Sequence, residues 1–178
     1  EGAFFLHPFV ASPRLVIVGA VHIAEPLLVL ARLCELECIV VEPRQAFAER
    51  ASFEHAPVLR RWPDEAFDAI GIDAHTAVVT LSHDPKLDDP ALQAALASPA
   101  FYIGALGSRR NHAVRLERLR AAGFGDDDFA RIHAPIGLDI GARTPGEIAA
   151  AILAVVVGIA FILHEPGKTG SGKTGSGK

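Results

Sequence analysis

Residues 14–41 read RLVIVGAVHIAEPLLVLARLCELECIVV, and the architecture is decided within them. Leu15-Val16-Ile17-Val18 is a short, wholly apolar, β-rich run that ends at Gly19. From Ile23 the apolar spacing becomes helical, with Leu27, Leu30, Ala31 and Cys34 recurring at three and four residues. A run apolar on both faces is what a strand buried between two helix layers requires, and the change of period marks the turn into a helix. A second such run, Cys38 to Val41, follows within a few residues. Strand, helix and strand pair in parallel only when the helix crosses over the sheet. The stretch therefore predicts a Rossmann-like βαβ start, with the rest of the chain extending one open, mostly parallel α/β sheet of five or six strands and helices on both faces.

Working outward, residues 1–13 form an apolar lead-in, 14–163 the sheet domain, and 164–178 a flexible tail rich in Gly, Lys, Thr and Ser. The reading places a helical turn within Phe47 to Phe53, a third strand at Val58 to Trp62, and a helix from Pro63 to Gly71. It continues with a strand at Thr76 to Leu81, a helix from about Pro90 to Leu96, and a strand at Phe101 to Ala105. An arginine-rich helix follows from Arg109 to Ala122, capped by Ser108 and stopped by Gly123. A polar turn, Asp126 to Asp128, precedes a short helix. Thr144, Pro145 and Glu147 then fit a capping box that starts a terminal helix.

The chain has 178 residues, half of them hydrophobic, and a net charge of −4, enough for one full core. Cys34 and Cys38 fall in apolar segments; a persulfide role is conceivable, but inert core thiols fit better, and the default setting is a reducing cytoplasm. The opening residues lack the basic region of a secretory leader. Ile148 to Leu163 is uncharged but short of the roughly 20 residues of a bilayer span, so a buried terminal helix, and no membrane, is expected. A mildly acidic total offers no reason to expect nucleic acid.

Ligands of open α/β sheets bind beyond the carboxyl ends of the strands, so the loops there carry the candidates. Gly19-Ala20-Val21-His22-Ile23-Ala24 keeps the first glycine of a dinucleotide fingerprint but puts Val21 where the second belongs, and Glu25 adds charge of the wrong sign. Glu42 ends the second strand where a ribose hydroxyl would bind, and Arg44 could meet a phosphate, so NAD(P) is one reading and a helix packed on a sheet without any nucleotide is the other. Three further clusters are His83-Asp84-Pro85-Lys86, Gly104-Ala105-Leu106-Gly107-Ser108-Arg109-Arg110 and Gly137-Leu138-Asp139-Ile140-Gly141. The second is chemically an anion cradle at a helix start; a solvated basic face is the alternative, since Arg115, Arg118 and Arg120 continue the charge. Scattered His22, His83, His112 and His133 lack metal-site spacing, so no metal is expected. The tail match to a phosphate loop, Gly167 to Thr174, lacks a strand before it and a helix after it.

Taken together, VGAVHIA, SHDPKLDDPAL, YIGALGSRRNHAVRLERLRAAGF and IHAPIGLDIGARTPGEIA resemble the C-terminal Rossmann-like domain of the xanthine dehydrogenase accessory family, XdhC/CoxI, over about Leu6 to Ala154. The resemblance implies a cofactor-binding chaperone more than an enzyme, with no catalytic residue assigned. It implies binding of molybdenum cofactor (molybdopterin), help with its sulfuration, and delivery to a xanthine dehydrogenase-type hydroxylase, with a cysteine desulfurase as a further expected partner; the apolar end of the terminal helix, AVVVGIAFIL, would favour burial against a partner or a second copy of the chain. Matching positions are Gly19, Ala20 and His22; His83, Asp84 and Lys86; Gly104, Gly107, Ser108, Arg109 and Arg110; and Gly137, Asp139 and Gly141. Members usually carry a separate N-terminal domain that these residues do not include. An NAD(P)-dependent oxidoreductase and a silent interaction domain are the alternatives.

Overall fold

A computed structural model describes residues 12–48, 53 and 56–164. The tail repeat and nearly all of the lead-in lie outside them. In chain order the elements are β1 (Arg14–Val18), α1 (Ala24–Leu33), β2 (Glu37–Val41), α2 (Gln45–Ala48), β3 (Val58–Leu59), α3 (Pro63–Ile70) and β4 (Thr76–Thr80). They continue with α4 (Pro85–Leu96), β5 (Tyr102–Ala105), α5 (Arg109–Ala121), α6 (Asp126–Phe129), β6 (Ile132–His133) and α7 (Pro145–His164). Among the described residues six strands pair in the order β3-β2-β1-β4-β5-β6, with every pairing parallel. The predicted α/β class holds.

Strand alternation sorts the core onto two faces. Leu15 and Ile17 of β1, Val40 of β2, Val79 of β4 and Tyr102 of β5 pack under α1 and α7, whose inward residues include Leu27, Ala31, Ile152 and Val156. Val16, Val18, Val41, Val78 and Ile103 point the other way, onto Phe67 of α3, Leu92 of α4 and Leu119 of α5. Leu15 to Val18 are all completely buried. Burying such a side chain is worth about 1.5–3 kcal/mol, which explains why this strand reads as continuous apolar sequence. By length and composition α7 could cross a membrane, yet its Ala149, Ile152 and Val156 are fully buried in the core. Among its described side chains, Phe161 and Ile162 near the far end turn large apolar groups outward.

Several local expectations change. α4 begins at Pro85 instead of Pro90: Asp84 caps it by accepting from the Lys86 N–H at 3.0 Å, and Pro90 lies inside the helix. Two prolines five residues apart both suit a first turn, and the one preceded by a capping aspartate takes it. Asp126 to Asp128 form the first turn of α6, where their negative charge complements the helix dipole, instead of a preceding turn. β6 is not among the strands expected from sequence, and two residues are too few to show a period. Cys34 is exposed at the end of α1, whereas Cys38 is buried and its thiol is pushed up to about 11, chiefly by burial. Ser108 and the Thr144/Glu147 box cap α5 and α7 as expected.

Candidate functional site

The carboxyl ends of β1, β4 and β5 deliver their loops to one rim. Gly19 leaves β1 with φ of +100°, and a Cβ there would stand 3.0 Å from the Ser82 side chain, so the loops after β1 and β4 touch. Beneath them Glu42, the residue after β2, is completely buried. One carboxylate oxygen accepts from the Ala20 N–H at 2.9 Å and from Arg44 Nη2 at 2.8 Å; the other accepts from the Arg44 N–H at 3.0 Å and Arg44 Nε at 2.8 Å. Burial alone would raise this carboxyl, but the hydrogen bonds from Arg44 and Ala20 outweigh it and hold the group below its usual range. Arg44 also lies over the Phe47 ring and 3.9 Å from Asp84. Glu42 and Arg44, read from sequence as ribose and phosphate contacts, are here occupied with each other and with the first loop.

The open space lies on the β4 and β5 side. A cavity of about 350 Å³ is lined by Leu106, Gly107 and Arg109 from the third motif and by Gly137, Asp139 and Gly141 from the fourth. A second, largely apolar depression of about 360 Å³ brings Val21 and His22 together with His83, Leu106, Arg143 and Ile148. Leu106 and Ile148 border both, so residues from all four motifs meet around one rim. Gly137 has φ of +85°, and a Cβ there would sit 2.9 Å from the Ala151 carbonyl carbon and the Ile152 nitrogen. The absent side chain is what lets the fourth loop press onto α7.

At the start of α5, Ser108 accepts from the Asn111 N–H at 3.2 Å. Arg109 and Arg110 are exposed, and neither forms an ion pair with any described residue. Only Arg109 borders the cavity. Gly104 stands inside β5 packed against Ile136, which lines the cavity, and does not itself line it. Lys86 is exposed in the first turn of α4. The basic face considered for α5 does not form as a face: Arg115 is 5% exposed, Arg118 is bound to Asp89, and Arg120 pairs with Glu117 and Asp126. Sequence reasoning does not single out Arg143, Asp88 or Arg115 as site residues. Arg143 sits just before a helix start, but burial of the other two depends on α4 meeting α5, which no local pattern announces. Among the described residues no group of three or more His, Cys, Asp or Glu is placed to hold a metal ion.

A fully parallel sheet in the order 3-2-1-4-5-6, with a glycine-lined cavity over its carboxyl rim, defines a Rossmann-type domain. Residues 15–156 match the family model described as the XdhC Rossmann domain, and the chain belongs to that family. It is 41% identical over 88 residues, 49% of this chain and 28% of the relative, to the molybdenum cofactor insertion chaperone PaoD of Escherichia coli K12. It is 29% identical over 154 residues, 86% of this chain and 44% of the relative, to a protein of Bacillus subtilis 168 named as a probable subunit of xanthine dehydrogenase. A crystal structure described as a xanthine dehydrogenase from Bacillus halodurans superposes with a TM-score of 0.74 at 26% identity, over 89% of this chain and 45% of that one. The chain thus spans less than half the length of each of these proteins.

Proposed function

We propose that this domain binds molybdenum cofactor through its molybdopterin moiety, as a chaperone that serves maturation of a xanthine dehydrogenase-type hydroxylase in the cytoplasm. The observation that carries the reading is the meeting of the four family motifs around one rim, in two adjoining cavities that share Leu106 and Ile148, one of them bordered by an arginine at a helix start that forms no ion pair with a described residue. The residues fit the group chemically. Molybdopterin ends in a phosphate, and the first amides of α5 with the Arg109 guanidinium are suited to an anion. Arg110, exposed beside it, adds positive potential without lining the cavity. Asp139, His83 and His22 supply polar partners for the remainder of the cofactor, while Leu106 and Ile148 supply an apolar floor.

The bound cofactor would supply the redox centre of the recipient enzyme. This chain's residues would hold its anionic end, shield it from solvent and present it for transfer. Nothing in the arrangement calls for a catalytic residue. NAD(P) fits less well, because Glu42 spends both oxygens on Ala20 and Arg44 instead of facing a ribose. The recipient hydroxylase, a sulfur-donating desulfurase and a second copy of the chain are the partners in this reading, and Phe161 and Ile162 offer apolar surface to one of them.

Titrating the purified protein with molybdopterin and, separately, with NADH or NADPH tests the proposal. Saturable molybdopterin binding is expected, weakened about 10-fold or more in Arg109→Ala and less in Arg110→Ala, in line with roughly 1.5–3 kcal/mol per charged hydrogen bond. Micromolar nicotinamide binding with no molybdopterin signal would reverse the assignment.

A further inference from the structure

A cleft of about 250 Å³ opens between α4 and α5 and is lined by His83, Asp88, Leu106, Asn111, Arg115 and Arg118 among others. Asp88 and Arg115 are 2% and 5% exposed. Arg115 Nη2 donates to the Leu106 carbonyl at 2.8 Å and stands 3.5 Å from Asp88 Oδ2. The pair is not saturated: Arg115 Nε and Nη1 and Asp88 Oδ1 are buried with no hydrogen-bond partner among the described residues. Buried polar atoms are as a rule hydrogen-bonded, so three orphaned atoms on two paired residues that line a cleft point to something that completes them. Arg118, in the same cleft, is already held by Asp89.

The chemistry of the orphaned atoms narrows the ligand. A bare phosphate or carboxylate would suit Arg115 but be repelled by Asp88. An ammonium group would suit Asp88 and be repelled by Arg115. A planar group with adjacent donors and an acceptor satisfies both residues, and the 2-amino-4-oxo edge of a pterin has that pattern: its amino group and N3–H donate to a carboxylate, and its O4 accepts from a guanidinium. Leu106 borders both this cleft and the larger cavity, so the two spaces are neighbours on one rim. We propose that the Asp88–Arg115 pair is the subsite that recognises the amino-oxo edge of a pterin ring. This deepens the cofactor reading above and rests on it.

The test uses the full chain slightly above neutral pH, where Asp88 is largely ionised, and two fluorescent probes, 6-hydroxymethylpterin and its lumazine counterpart, in which an oxo group replaces the 2-amino group. The pterin should bind saturably and the lumazine at least about 10-fold more weakly, because an oxygen would then face the Asp88 carboxylate. Asp88→Asn should abolish that preference, with circular dichroism and a melting curve showing that the variant is folded. The two-probe comparison on the unaltered protein does not depend on the variant. Equal affinity for both probes, or no pterin binding, overturns the subsite and leaves ordered water as the partner of these atoms; so does a preference unchanged in a folded Asp88→Asn protein. Molybdopterin binding that survives such a result keeps the cofactor reading without the subsite, and pterin selectivity without molybdopterin binding does the reverse.

Discussion

Replacing Glu42 tests whether the first loop is built on a structural carboxylate or displays a ligand contact. Its side chain is fully buried and accepts four hydrogen bonds, three from Arg44 and one from the Ala20 N–H. Glu42→Ala removes all four and leaves Arg44, which is only partly exposed, without its main partner. Breaking a buried pair by deleting one member costs about 3–5 kcal/mol. Glu42→Gln keeps the shape and one acceptor oxygen but loses the charge, so about 1.5–3 kcal/mol is expected. For a domain of this size 1 kcal/mol moves the melting midpoint by roughly 2–4 °C, so the alanine variant should melt roughly 6–20 °C lower. Urea unfolding followed by circular dichroism measures both, with the slope checked for constancy. Because this carboxyl lies below its unfolded value when folded, its contribution is present above the unfolded carboxyl range and fades as pH falls. A loss under about 1 kcal/mol for Glu42→Ala, together with a gain of nicotinamide affinity, would refute the structural assignment.

Other outcomes follow from the same geometry. Gly137→Ala should cost about 2–4 kcal/mol in denaturant unfolding, since the new Cβ would sit 2.9 Å from α7 backbone at a φ of +85°; an unchanged midpoint would show that the loop can retreat. Asp88 is pushed up to about 7, chiefly by burial, with Ser82 and Arg115 opposing. Folded protein therefore holds a proton there that unfolded protein gives up near pH 4, so this contribution is full below pH 4 and is lost as pH rises through about 7. Asp88→Asn should flatten the corresponding fall in stability between pH 4 and 7, measured by melting at several pH values, and an unaltered slope would contradict the assignment.

Where the fold is legible in sequence, one physical cause acts locally. β1 lies between two helix layers and so reads apolar throughout, and Ser108 and the Thr144/Glu147 pair cap the helices that they precede. Where sequence and structure part, a competing or distant group decides. Pro90 has the pattern of a helix start, but Asp84 and Pro85 offer a better one. Arg115 has the pattern of one more solvated arginine on α5, yet it is buried because α4 brings Asp88 against it. Glu42 stands at a strand end, where a ligand contact is expected, but its burial beneath the first loop depends on Ala20, which lies 22 residues earlier. The four motifs of the candidate site are visible because their glycines, histidines and arginines cluster at strand ends. Their meeting around Leu106 requires the sheet order.

The most direct measurement is an amide chemical-shift titration of the isotope-labelled protein with molybdopterin. The account predicts saturable shifts concentrated in residues 19–23, 82–88, 104–115 and 136–143, the segments that border the rim. Shifts confined to other surfaces, or a spectrum unmoved at saturating cofactor, would contradict it.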